Sequence, residues 1–188
     1  MNGVDAVNNL RLMAGRHDVN GVANIVLYEP RFATWAGSSV VGAHHCYDGG
    51  LAEHTYEVAK LCEINSAALP GHPINQTEMF LAALFHDVGK MWDYERVDGV
   101  WEPTTHKRLV HHVSRSGIEW VKAAEKFNIP QIVQDRVLHS ILAHHGRREW
   151  GSPVAPKSRM AWLLHLCDQV SARMNDCDTN DLVLRKDK

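Results

Sequence analysis

The run QTEMFLAALFHDVGK (residues 76–90) decides how this chain folds. Asn75 or Thr77 supplies a cap at its start and Gly89 a stop, so it reads as a helix over about 76–87. Met79, Ala83 and His86 share one face of that helix, which sets an imidazole and a carboxylate, His86-Asp87, at the end of a buried element. The uninterrupted apolar stretch, Met79 to Phe85, is far short of the roughly 18 residues needed to cross a bilayer. It is core, and no membrane partner is expected.

Working outward, residues 51–65 lack glycine and proline, and Leu51, His54, Val58 and Leu61 recur along one helical stripe. Residues 92–105 alternate around Asp98-Gly99 as a small β-hairpin does. A long helix is expected over about 107–127, with Leu109, His112 or Val113, Ser116 and Trp120 on one side and Asn128 and Pro130 ending it. The next, about 131–145, aligns Val133, Val137, Ile141 and His144 and stops at Gly146. After a turn-rich loop (147–156), a last helix over about 157–175 turns Met160, Leu163 or Leu164, Cys167, Val170 or Ser171, and Met174 inward, with Asp168 at the stripe's edge. The tail from Asp176 is polar and expected to fray. With no internal repeat and no linker, the reading is one all-α domain over 1–188, core about 28–175. It has about six or seven helices and a small β-hairpin insertion near 92–105.

At 188 residues, 45% of them hydrophobic and 22% charged, the chain is long enough for one substantial core and is not disordered, collagen-like or coiled coil. Twenty basic against 22 acidic residues leave a net charge of −2, which excludes coating nucleic acid by bulk electrostatics. Cys46, Cys62, Cys167 and Cys177 form no C-x-x-C pair and no disulfide framework. The N-terminal stretch lacks the apolar core of a signal peptide. Reduced thiols and a cytoplasmic protein are expected.

Thirteen histidines are out of proportion. His54, His86-Asp87, His112, His144-His145 and Asp168 fall on or near inward stripes of separate helices. Imidazoles and carboxylates facing a core are costly unless paired or ligated, and this many together are best satisfied by metal. A nitrogen and oxygen set without thiolate favours Mn, Fe, Co, Ni or Zn as divalent ions. Seven candidate ligands exceed one four-coordinate site, and an adjacent His-Asp lets Asp87 bridge two ions. Such a pair can hold a hydroxide, nucleophilic at neutral pH, and clamp phosphoryl oxygens.

HHCYDGGLAEHT (44–55), LFHDVGK (84–90), ILAHHG (141–146) and EWGSPVAPKSRMAWLLHLCD (149–168) resemble the HD phosphohydrolase superfamily with its H…HD…D order. More narrowly, they are similar to the HD part of the YhaM-type 3′–5′ exoribonucleases. The resemblance covers roughly 28–175 and implies a helical bundle. It also implies one metal on His54, His86, Asp87 and Asp168 and a second on Asp87, His112, His144 and His145. His112 rather than His111 is the ligand on this reading, because His111 stands at the glycine of the family's G-H-I. The OB-fold region of those enzymes has no counterpart here, so processive action on long RNA is not expected. Lys90 replaces the acid of the H-D-x-x-E monophosphatases, which suits neutralising phosphate charge and favours phosphodiester or anhydride cleavage.

The expectation is a two-metal phosphohydrolase acting on a nucleotide or short single-stranded oligonucleotide, with Asp87 and Lys90 as catalytic groups. Lys90, His45, Arg147 and Arg148 are the candidate substrate-binding residues, and an oligomer is compatible with the sequence. Lys90 also reads as a helix-end charge, with the resemblance favouring the phosphate contact, whereas the two arginines read equally as a solvated loop and His45 equally as a cap or surface residue. Tyr47, Trp101 and Trp150 are candidates for stacking on a base, against the commoner role of anchoring loops. Two rival functions share the ligand set: a mixed-valence diiron oxygenase cleaving a C–C or C–P bond, and a non-catalytic metal-stabilised interaction module.

Overall fold

The computed structural model describes residues 1–38 and 43–179. Helices α1 (Gly3–Arg16) and α2 (Asn20–Leu27) are followed by α3 (Gly50–Ala68), α4 (Gln76–Phe85) and the single turn α5 (Lys90–Asp93). Strands β1 (Tyr94–Val97) and β2 (Val100–Pro103) come next, then α6 (Thr105–Leu109), α7 (His112–Lys126), α8 (Gln131–Ala143) and α9 (Arg159–Thr179). The helical bundle with one small antiparallel hairpin is the architecture expected, and no helix among the described residues is long and apolar enough to cross a membrane.

Helix α4 is the axis. Every residue from Glu78 to Phe85 is buried, as befits a helix apolar on all sides and wrapped by neighbours. Helices α3, α8, α7, α9 and α1 all pack on it. The Asn75 side chain accepts the Glu78 N–H at 3.0 Å, so Asn75 and not Thr77 is the cap. The helix stops at Phe85, two residues before the expected end, and the chain turns through His86 to Gly89. The cause is the approach of α7. A Cβ on Gly89 would lie 2.2 Å from the His112 carbonyl oxygen, and the Gly89 N–H donates to Ser116 Oγ at 2.9 Å. Only glycine fits there.

The hairpin pairs Val97 with Val100 across Asp98 and Gly99, both at positive φ, the twist a two-residue turn requires. Trp101 packs on Trp35 with centroids 4.9 Å apart and donates to Asp48 at 3.2 Å. It thus anchors the hairpin to the segment before α3.

Several expectations need correction. The helix expected over 107–127 is two helices, broken at His111, whose φ of 66° and ψ of 146° end any helix. Leu109, expected inward, is exposed because it belongs to the other piece. In α3 the inward stripe runs through Val58 and Cys62, with Leu61 half-buried. In α9, Ser171 faces inward while Val170 and Met174 are exposed; the buried polar network around His54, described below, claims that face. The helix runs on to Thr179, past the expected end at 175, and the rest of the expected tail (180–188) lies outside the described residues. Helices α1 and α2 were not anticipated, although Ala6, Val7, Leu10, Met13 and Ala14 are buried at helical spacing. Both join the same core cluster as α3 and α4.

Candidate metal centre

Four imidazoles surround one carboxylate, and a fifth, that of His145, stands beside them. Asp87 stands in the turn after α4; His54 comes from α3, His86 from the end of α4, His112 from the first residue of α7, and His144 and His145 from the end of α8. Asp87 Oδ2 lies 3.4 Å from His54 Nε2, 3.4 Å from His86 Nε2 and 2.6 Å from Lys90 Nζ. Its other oxygen, Oδ1, lies 3.6 Å from both His112 Nε2 and His144 Nε2. On the first side, Asp168 Oδ1 of α9 approaches His54 Nε2 at 3.0 Å, and His54 and His86 Nε2 are 3.3 Å apart. On the second, His112 and His145 Nε2 are 3.2 Å apart. The two oxygens of Asp87 therefore face two separate clusters, which contain the expected ligand sets.

The far side of each ring explains why these nitrogens point inward. His86 Nδ1 donates to the Ala83 carbonyl at 2.7 Å, His144 Nδ1 to that of Ile141 at 2.6 Å, and His145 Nδ1 to that of Trp150 at 2.6 Å. His112 Nδ1 donates to Asp93 at 2.9 Å. His54 Nδ1 meets Ser171 Oγ at 2.9 Å; the Ser171 hydroxyl itself donates to Glu57 at 2.6 Å, so it accepts from His54. Carbonyl and carboxylate oxygens cannot donate, so each Nδ1 carries the proton and each neutral ring offers a bare Nε2 to the centre.

Two facing lone pairs at 3.3 Å repel unless a proton or cation sits between them, and Asp87 Oδ1 is buried with no hydrogen-bond partner among the described residues. Unsatisfied buried polar atoms are rare and need a reason. Divalent ions supply it, and the donor set of imidazole and carboxylate fits them. Burial opposes charge on His54, yet the hydrogen bonds of Asp168 and Asp87 raise its pKa. On the second side burial lowers His112 to about 4, against the pull of Asp93, and lowers His145 to about 2, helped by His144 and His112. These rings are neutral at neutral pH, the form in which an imidazole can bind a cation. Burial works against ionised Asp87 as well, but Lys90 and His86 outweigh it and hold the carboxyl well below its ordinary range. Asp168 is held low by His54 in the same way.

A cavity of about 310 Å³ opens onto this centre, lined by Asp87, Lys90, His145 and Asp168 and walled by His44, Trp150 and Arg173. Of the expected substrate-binding residues, Lys90 is in that wall. His45 is not: it is fully buried, its Nε2 lying 3.3 Å from Glu57 and its backbone N–H donating to Asn175 at 2.7 Å. Its neighbour His44 lines the cavity instead. Arg147 and Arg148 are exposed and do not line it; Arg147 lies over the Trp150 ring at 4.9 Å. Tyr47 and Trp101 are also outside it, so Trp150 is the one of the three aromatic candidates placed in the wall. Sequence reasoning did not single out Asp93, Glu57, His44 or Arg173. The spacing of three through Asp87, Lys90 and Asp93 is a signal that points at Asp93; nothing comparable marks the others.

Residues 51–173 match the family model described as the HD domain. The chain is 27% identical over 177 residues to the 3′–5′ exoribonuclease YhaM of Shouchella clausii, an alignment covering 93% of this chain and 54% of that protein. To the 3′–5′ exoribonuclease YhaM of Bacillus subtilis it is 33% identical over 138 residues, 72% of this chain and 42% of that one. It thus spans about half the length of these relatives. No solved structure matches the chain. The matched span runs from α3 into α9 and holds every one of the converging imidazoles and carboxylates, and the chain belongs to the HD domain family.

Proposed function

We propose that this chain is a two-metal phosphohydrolase that cleaves a phosphodiester or phosphoanhydride bond in a nucleotide or short single-stranded oligonucleotide. One ion is held by His54, His86, Asp87 and Asp168, the other by Asp87, His112, His144 and His145. The observation that carries this reading is the Asp87 carboxylate, whose two oxygens face different imidazole clusters while Oδ1 has no hydrogen-bond partner among the described residues. Bound ions supply Lewis acidity toward phosphoryl oxygens and acidify water.

The chain's own groups do the rest. Asp87 orients the attacking water; as its oxygen bonds to phosphorus the P–O bond to the leaving group breaks, the water's proton departs to solvent and the leaving oxygen takes one from solvent. Lys90, at the cavity wall, offsets negative charge as it builds on the phosphoryl group. Trp150 gives a face for a base and Arg173 a cation for a neighbouring phosphate. The cavity is at the small end of ligand pockets, which suits one nucleotide unit and not a duplex. The relatives' name, 3′–5′ exoribonuclease, supports RNA as the first substrate to try.

The test is protein purified without chelators, assayed with Mn²⁺ on short single-stranded RNA and DNA, linear and cyclic dinucleotides, and nucleoside mono- and triphosphates. Metal-dependent turnover that persists under argon and vanishes in a folded Asp87→Ala variant is expected. Absence of turnover with any of Mn, Fe, Co, Ni or Zn contradicts the proposal, and strict dependence on O₂ assigns the centre to oxygenase chemistry.

A further inference from the structure

Of the five inward-facing rings, only His112 is backed directly by a carboxylate. Asp93, fully buried at the end of α5, accepts the His112 Nδ1–H at 2.9 Å and the His112 backbone N–H at 3.1 Å on the same oxygen, Oδ2. Its Oδ1 accepts from His106 Nδ1 on α6 at 3.1 Å. The chain is bent to make this grip possible. His111, immediately before His112, stands at φ 66° and ψ 146°, near a region that is otherwise almost confined to glycine and strained for other residues. That strain breaks the helix between α6 and α7 and leaves the His112 N–H at a helix start, free to bond Asp93.

We infer that Asp93, clamped by His106, is the positioning residue of the second metal locus: it fixes the His112 ring with Nδ1 protonated and Nε2 bare. A carboxylate cannot donate, so the alternative tautomer is excluded, and a ring hydrogen-bonded to a carboxylate is a stronger ligand. The inference rests on the two-metal reading above. It adds that the loci are unequal, because the first has no carboxylate directly behind a ring; there Glu57 acts only through Ser171.

The test is stepwise Mn²⁺ and Zn²⁺ affinity, measured calorimetrically on the metal-free full chain and on Asp93→Asn, His106→Ala and His112→Ala. Asparagine keeps the shape and removes the charge. In Asp93→Asn the expected result is a 10- to 100-fold loss at one locus, the locus lost in His112→Ala, with the other unchanged. The His106→Ala variant should lose several-fold at that same locus. Unchanged affinities in Asp93→Asn, or equal weakening of both loci, overturn the inference. Long-range ¹H–¹⁵N spectra of metal-free wild-type protein give a readout that needs no variant: His112 should be the Nδ1–H tautomer with its proton shifted downfield, and an Nε2–H tautomer overturns the inference. If the wild-type chain binds no divalent ion, the two-metal reading fails, whereas the tautomer result stands or falls by itself.

Discussion

Lys90 Nζ lies 2.6 Å from Asp87 Oδ2, and both groups are buried. Removing one partner of a buried ion pair leaves an uncompensated charge and costs on the order of 3 kcal/mol. A divalent cation beside Asp87 relieves that cost. Lys90→Met is therefore expected to lower the melting temperature strongly in chelator and much less with Mn²⁺ present. Equal losses in the two conditions contradict the pairing of metal and Lys90 on one carboxylate.

At most positions glycine is less stable than alanine by roughly 0.5–1 kcal/mol. At position 111 the order should invert, because the φ of 66° penalises any side chain. His111→Gly is expected to exceed His111→Ala in unfolding free energy by about 1 kcal/mol, read from urea midpoints at constant slope. The usual order at that site contradicts a strained His111.

The metal-free protein should lose stability on acidification. Burial holds His44 at about 3, His112 at about 4 and His145 at about 2, all below the ordinary value of 6.5. Their unfolded forms take up protons near 6.5 that the folded forms refuse, so stability is full above that pH and falls steadily below it, the His112 share levelling off near 4 and those of His44 and His145 only near 3 and 2. Asp87 and Asp168, held low, extend the loss below the ordinary carboxylate range. His54, raised, works the other way: its contribution is present below 6.5 and lost as pH rises through its folded value. The sum favours destabilisation, checked by denaturation midpoints from pH 8 to 5. A flat or rising profile contradicts it.

Substrate contacts should separate by cavity placement. Arg173 is in the wall and largely solvated, so a phosphate contact there is worth about 1 kcal/mol, or about fivefold in KM. Arg173→Ala and Trp150→Ala are expected to raise KM with little change in kcat, and Arg148→Ala to leave both within about twofold. An effect confined to Arg148 contradicts the pocket assignment.

Helical periodicity made α3, α4 and α8 legible, and with them His54, His86-Asp87 and His144, because a core-facing stripe repeats wherever a helix is buried. It failed where a polar contact overrides the period. The positive φ of His111, which hands the His112 N–H to Asp93, breaks an otherwise continuous pattern over 107–127, and no spacing rule encodes it. In α9 the stripe permitted Val170 or Ser171, and the network through Glu57 and His54 selects Ser171. At the cavity His44 and not His45 forms the wall, and His45 stands at positive φ, a backbone conformation that side-chain identity does not announce.

In the proposed centre two cations share Asp87. Electron paramagnetic resonance of the Mn²⁺-loaded chain, with metal content measured on the same sample, tests it most directly. Two ions per chain giving the spectrum of an exchange-coupled pair, lost in Asp87→Ala, is the expected result. A single ion, or two magnetically isolated ones, contradicts it.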